Sequence, residues 1–272
     1  MSDWAIFHYG YLQHAVAAGF FAGIGCALAG AFVITMNLSF LGVCIAHAAF
    51  AGAMFSLLIG IPPMAGALIV SLLTAGLIGP VADRGELSVD TSIGILFSAM
   101  LGLAFLFAGM LPDSRAEAMA LFWGSILTIT SGHLAMLALT AGILLLLIFL
   151  FYKEIHAVVC HRSVALAVGI PATLVFYLLL IGVGAAIAVA LPSIGGLLVY
   201  SLVINPAAAA YQLTYRFSVL LFLSALLGVL SCWIGLALSW TWNLPVGATI
   251  VLVSTAIFGF AALFSPKRRK IL

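Results

Sequence analysis

Polar residues gather into short clusters along this chain, and between the clusters run hydrophobic stretches of about twenty residues. The stretches are continuous. They do not alternate apolar with polar at period two, which argues against a membrane β-barrel. A helix needs about 20 apolar residues to cross the hydrocarbon. On that measure nine segments are predicted, at 15–36, 40–60, 63–80, 91–111, 132–152, 165–191, 194–212, 217–240 and 244–264. Backbone groups in hydrocarbon must be paired within a helix or a closed barrel. The expected fold is therefore all-α: a polytopic helical membrane protein, one transmembrane domain over 1–272, with eight spans if 194–212 is re-entrant.

Punctuation falls between the segments, at Pro62-Pro63, Gly79-Pro80, Pro112, Pro192, Pro245 and Pro266. The double proline predicts a tight hairpin between the second and third segments. Residues 112–131 are mixed in character, and a short interfacial helix is expected there. The seventh segment carries Asn205-Pro206 in its middle. Proline removes a backbone donor and frees a carbonyl one turn earlier, so an interrupted helix is expected. Gly19 and Gly23 stand at GxxxG spacing, which suits close helix packing.

Charge sharpens the picture. Only 6% of the 272 residues are charged and 66% are hydrophobic, against about a quarter charged in a soluble domain. With the N-terminus outside and the spans alternating, Arg84, Lys153, Arg162, Arg216 and the tail Lys267, Arg268, Arg269 and Lys270 all fall on the cytoplasmic side. Only Arg115 falls outside. That positive-inside bias places the C-terminus of a multi-pass membrane protein in the cytoplasm. Residues 1–14 read as an interfacial lead-in with no Lys or Arg, not as a cleaved signal. Cys26, Cys44, Cys160 and Cys232 are scattered and imply no disulfide framework. The bilayer is the expected partner, and nucleic acid is not.

Within Ser39–Gly60, SFLGVCIAHAAFAGAMFSLLIG, stands His47. Ionisable groups at membrane depth are costly and mark substrate pathways by default; a neutral histidine bonded between helices is the plainer reading. Cys44 precedes it by three residues, and thiolate with imidazole suits Zn²⁺ or a similar ion. Asn205 lies roughly 16 Å and His47 roughly 20 Å below the outer ends of their segments, so a shared depth is expected. His8 and His14 lie on the outer side. No stretch fits GxxxxGK[ST], so ATP hydrolysis by a P-loop is not expected of this chain. The Ser131-Gly132-His133 run is a weak hint of a protease. Residues 153–163, KEIHAVVCHRS, combine charge with Val158 and Val159 and suit docking to a cytoplasmic partner.

Six stretches then converge: FLGVCIAHAAFAG (40–52), SVDTSIGILFSAMLGLAF (88–105), ALFWGSILTITSGHL (120–134), ALAVGIP (165–171), GGLLVYSLVINPAAAAYQL (195–213) and NLPVGATIVLVSTAIFG (243–259). In order and spacing they resemble the permease subunits of ABC-type importers for zinc, manganese and iron. The resemblance implies the helical fold of metal and cobalamin importers. It implies a second permease copy as homodimer partner, a cytoplasmic ABC ATPase dimer holding the ATP, and an extracytoplasmic solute-binding protein. It places ATPase coupling at 153–169, with Lys153, Glu154, His156 and Arg162, and carries the family's metal-path histidine onto His47. Cys44 and Asn205, the latter standing where the family has an aliphatic residue, join the expected metal set from the reading of the residues alone. The chain itself is then not an enzyme and holds no cofactor; its cargo is a divalent metal. Two departures stand out. The acidic residue usual in the coupling loop is replaced around Cys160-His161. The family's aspartate before the histidine falls on Val43. Loss of a hard carboxylate favours zinc over manganese or iron. It also leaves open a metal chelate or organic solute, and outside transport a membrane scaffold or intramembrane enzyme.

Overall fold

A computed structural model describes residues 10–111 and 126–267. Twelve stretches among them are helical and none is a strand. The helices are α1 (Gly10–Thr35), α2 (Ser39–Ile59), α3 (Pro63–Gly85), α4 (Val89–Gly109), a 3₁₀ turn at Ile126–Thr128, α5 (Ser131–Leu150), α6 (Tyr152–Cys160), α7 (Arg162–Ala167), α8 (Ala172–Ile194), α9 (Gly196–Leu213), α10 (Phe217–Trp242) and α11 (Val246–Leu263). Nine of these helices are long and apolar enough to cross a membrane. The short joints make successive long helices antiparallel. Arg84, Lys153, Arg216 and Lys267 therefore gather at one end of the bundle, called here the basic end. The protein is a multi-pass helical membrane protein, as the hydrophobic pattern leads one to expect.

Small residues set the packing. Lipid offers no hydrophobic drive for helices to associate, so close backbone approach has to supply the contact. A Cβ on Gly19 would come within 3.0 Å of the Cys232 Cβ, and one on Gly23 within 2.8 Å of the Val229 nitrogen. The GxxxG pair is thus the α1–α10 crossing. Farther along α1, a Cβ on Gly30 would overlap the Val203 carbonyl of α9. Gly52 of α2 and Gly66 of α3 cross backbone to backbone in the same way. The double proline makes the expected hairpin: Gly60 ends α2 at φ 75° and Pro63 opens α3, a place where its missing N–H costs nothing.

Two expectations need correction. The span expected from residue 165 begins at Ala172, because Gly169 at φ 86° and Pro171 separate it from α7. It runs on through Pro192 to Ile194. The interruption expected at Asn205-Pro206 is not there: α9 is helical from Gly196 to Leu213 with Pro206 inside it. One missing hydrogen bond is tolerated where neighbouring helices hold the segment, and Leu202 and Val203 are fully buried. The break lies earlier, at Gly195. Its φ of 92° and ψ of 149° turn the chain from α8 to α9 in one residue, a conformation open to glycine and almost nothing else. The short helix expected within 112–131 falls largely on 112–125, outside the described residues.

Candidate functional site

α2 is apolar nearly all round, but one stripe of it is not sealed in the core. Phe40, Val43, His47 and Phe50 follow at intervals of three and four, the spacing of one helix face. They line a cavity of about 370 Å³ together with Ala46 of α2, Leu191 of α8, and Gly196, Leu197 and Tyr200 of α9. The Gly195 turn is what brings the α9 start to this wall. Of the nine lining residues only His47 and Tyr200 carry polar side-chain atoms.

The His47 ring is fixed from two sides. Its Nδ1 lies 2.9 Å from the carbonyl oxygen of Val43, one turn back. A carbonyl only accepts, so Nδ1 donates, and in the neutral ring that leaves the lone pair on Nε2. Phe97 of α4 stands edge-on to the ring, centroids 5.0 Å apart and planes at 86°. Phe40 braces Phe97 in turn, at 5.6 Å and 85°. An imidazole oriented in this way is a ready ligand through Nε2. Among the described residues no group of three or more His, Cys, Asp or Glu side chains is placed to hold a metal ion.

The other two expected ligands are not brought to His47. Cys44 is fully buried in the core and does not line the cavity; three residues of separation placed it beside His47 on the helix but turned it inward. Asn205 faces α11. Its Nδ2 donates toward Ser201 Oγ at 3.2 Å, Ser254 Oγ at 3.0 Å and Thr255 Oγ1 at 3.0 Å, and the two serine hydroxyls bond each other at 2.7 Å. Nor is its depth that of His47. Position Gly42 faces Val203 and Tyr200, so Asn205 lies roughly 10 Å nearer the basic end than His47. Tyr200 is the cavity residue that sequence reasoning missed. The signal was present in its position five residues after the Gly195 turn.

At the basic end, α6 and α7 form two short helices meeting at His161. Lys153 and His156 are exposed, and Glu154 is half-buried. Arg162 opens α7; its side chain lies outside the described residues, as do His8 and the five residues after Lys267 with the Arg268, Arg269 and Lys270 charges. His156 stacks on Tyr152 at 6.0 Å and leans on Phe217 at 5.3 Å. Its Nε2 is 3.6 Å from Cys160 Sγ. Val164, Leu166 and Val168 are 57%, 52% and 74% exposed, an apolar patch beside these polar groups. Lys267 places its Nζ 3.5 Å from the Tyr211 ring centre, and burial pushes its ammonium below the ordinary lysine range.

Comparisons with known proteins agree with this architecture. The profile described as the ABC 3 transport family matches residues 8–265. The manganese transport system membrane protein MntC of Halalkalibacterium halodurans is 33% identical over 260 residues, 96% of this chain and 89% of that protein. The manganese import system permease protein ScaB of Streptococcus parasanguinis is 30% identical over 260 residues, 96% of this chain and 92% of its own. Among solved structures, PsaBC from Streptococcus pneumoniae in complex with Fab superposes with a TM-score of 0.86 at 28% identity, covering 97% of this chain and 95% of that one.

Proposed function

The chain belongs to the ABC 3 transport family, and from that premise we propose that it is the permease subunit of an ATP-driven importer of a divalent first-row metal ion. The observation that carries the proposal is the His47 imidazole, fixed through Nδ1 and presented on the wall of an open cavity inside a helical membrane bundle. One chain brings one imidazole to that wall. A transport site with enough donors forms when two copies face each other across it, each contributing His47.

ATP is hydrolysed by partner subunits at the basic end, which faces the cytoplasm under the positive-inside rule. The region 153–169 couples to them, through Lys153, Glu154, His156 and Arg162 with the exposed Val164, Leu166 and Val168. A solute-binding protein delivers the ion at the opposite end, and closure of the ATPases alternates access to the cavity. Manganese is the first reading for the ion, since relatives carrying manganese in their names match almost the whole chain. Zinc is the second. The cavity wall carries Val43 where a carboxylate would favour manganese, and imidazole suits zinc.

Proteoliposomes holding the permease with its ATPase and binding protein test the reading. They are expected to take up Mn²⁺ or Zn²⁺ with ATP, and His47→Ala is expected to lower uptake about tenfold or more. Wild-type uptake in that variant would sink it.

A further inference from the structure

We infer that Tyr200 supplies an oxygen donor to the same ion that His47 binds, and that it tunes the site toward harder metals. The inference rests on the reading of the cavity as the transport site.

Tyr200 is the only side chain of the cavity wall, other than His47, with a polar atom to offer. Its ring lies beside Gly42: a Cβ there would sit 3.9 Å from Cδ2 and 4.0 Å from Cε2. Gly42 and His47 are about 7.5 Å apart along α2. The two side chains close that gap from opposite directions. Side chains lean toward the N-terminus of their own helix. α2 starts at the basic end, so His47 leans toward that end, as its bond to the Val43 carbonyl records. α9 runs antiparallel, so Tyr200 leans away from the basic end. The imidazole and the phenol therefore converge on one level of the cavity.

The Tyr200 hydroxyl makes no hydrogen bond among the described residues. Tyr200 is 42% exposed on the open cavity wall, so its hydroxyl is accessible to a ligand arriving there. Two facing copies would give two imidazole nitrogens and two phenol oxygens. Imidazole serves many first-row ions, whereas oxygen donors suit Mn²⁺. The oxygen pair thus reconciles an apolar Val43 with the manganese in the relatives' names.

The test is metal binding to the purified permease–ATPase complex without the binding protein, titrated separately with Mn²⁺, followed by its electron paramagnetic resonance, and with Zn²⁺. Tyr200→Phe is expected to raise the Mn²⁺ dissociation constant about tenfold or more and the Zn²⁺ constant less than about threefold. Tyr200→Glu, which returns an oxygen donor, is expected to restore Mn²⁺ binding. Tyr200→Phe constants that are unchanged, or that rise equally for both metals, overturn the role of Tyr200. His47→Ala separates the two readings. If it weakens both metals while Tyr200→Phe changes neither, the transport site stands and the tyrosine does not. If His47→Ala changes neither, or the wild type binds neither, the site itself is wrong and Tyr200 falls with it.

Discussion

His47 Nδ1 and the Val43 carbonyl oxygen are 2.9 Å apart, so a residue whose side chain lines the cavity also orients the imidazole. The two roles use different atoms. The carbonyl belongs to the backbone and survives any substitution, whereas the isopropyl group of Val43 faces the cavity. Val43→Asp is therefore expected to leave the ring as it is and add a hard anionic donor next to it. Mn²⁺ binding to the permease–ATPase complex should tighten about tenfold or more. Uptake at saturating metal should slow, because a tighter site releases its ion later. Paired titration and uptake measurements check both; an unchanged Mn²⁺ constant would show that Val43 does not face the bound ion.

Asn205 gives the opposite expectation. Its amide ties α9 to α11 through the Ser254 and Thr255 hydroxyls, with Ser201 of its own helix as the third partner, and it turns away from the cavity. Asn205→Ala should leave the Mn²⁺ and Zn²⁺ constants within about twofold of wild type while costing about 0.6–2 kcal/mol of stability. The Ser201–Ser254 bond of 2.7 Å limits the loss, since the hydroxyls retain a partner. Thermal unfolding in detergent reads the stability, and metal titration reads the site.

The contrast between Val43 and Asn205 also marks what the sequence made legible. Spans are legible because hydrocarbon dictates their length and forbids charge within them. Residues 40–60 and 217–240 fall within two or three residues of α2 and α10. Helix rotation is not legible. A helix that is apolar all round has no polar face to reveal which side meets its neighbours, so Cys44 and His47 looked equivalent although the first is sealed and the second is not. Pro206 looked like a break because its local chemistry is that of a breaker, while the buried packing of Leu202 and Val203 holds the helix through it. Gly195 turns the chain toward Tyr200 and the cavity through its φ of 92°, and a backbone angle leaves no mark in the sequence beyond the glycine itself.

Gly30 tests the packing directly. A methyl group there would overlap the Val203 carbonyl across the α1–α9 crossing, whereas one on Gly102 of α4 would meet nothing within 4 Å. Overpacking of this kind costs about 1–3 kcal/mol, and backbone against backbone leaves no flexible side chain to move. Gly30→Ala should lower the unfolding temperature of the purified permease and reduce its yield. Gly102→Ala should be neutral or stabilise by up to about 1 kcal/mol, since alanine is the better helix former. Equal effects at the two sites would mean that α1 and α9 are not in contact through Gly30.

Leu166 tests the coupling surface. It is 52% exposed between Val164 and Val168, at the basic end, while Ala165 of the same helix is buried against the bundle. A patch with its anchor inward and its apolar residues outward suits a partner that covers it. Truncating a central apolar contact at such an interface commonly costs about 1–2 kcal/mol, and a buried unpaired carboxylate costs more. Leu166→Asp is therefore expected to weaken ATPase association at least about tenfold, read by co-purification from membranes. Metal binding at His47 should be unchanged, because the substitution lies at the far end of α8 from the cavity. Association at wild-type strength would move the coupling surface elsewhere on the basic end.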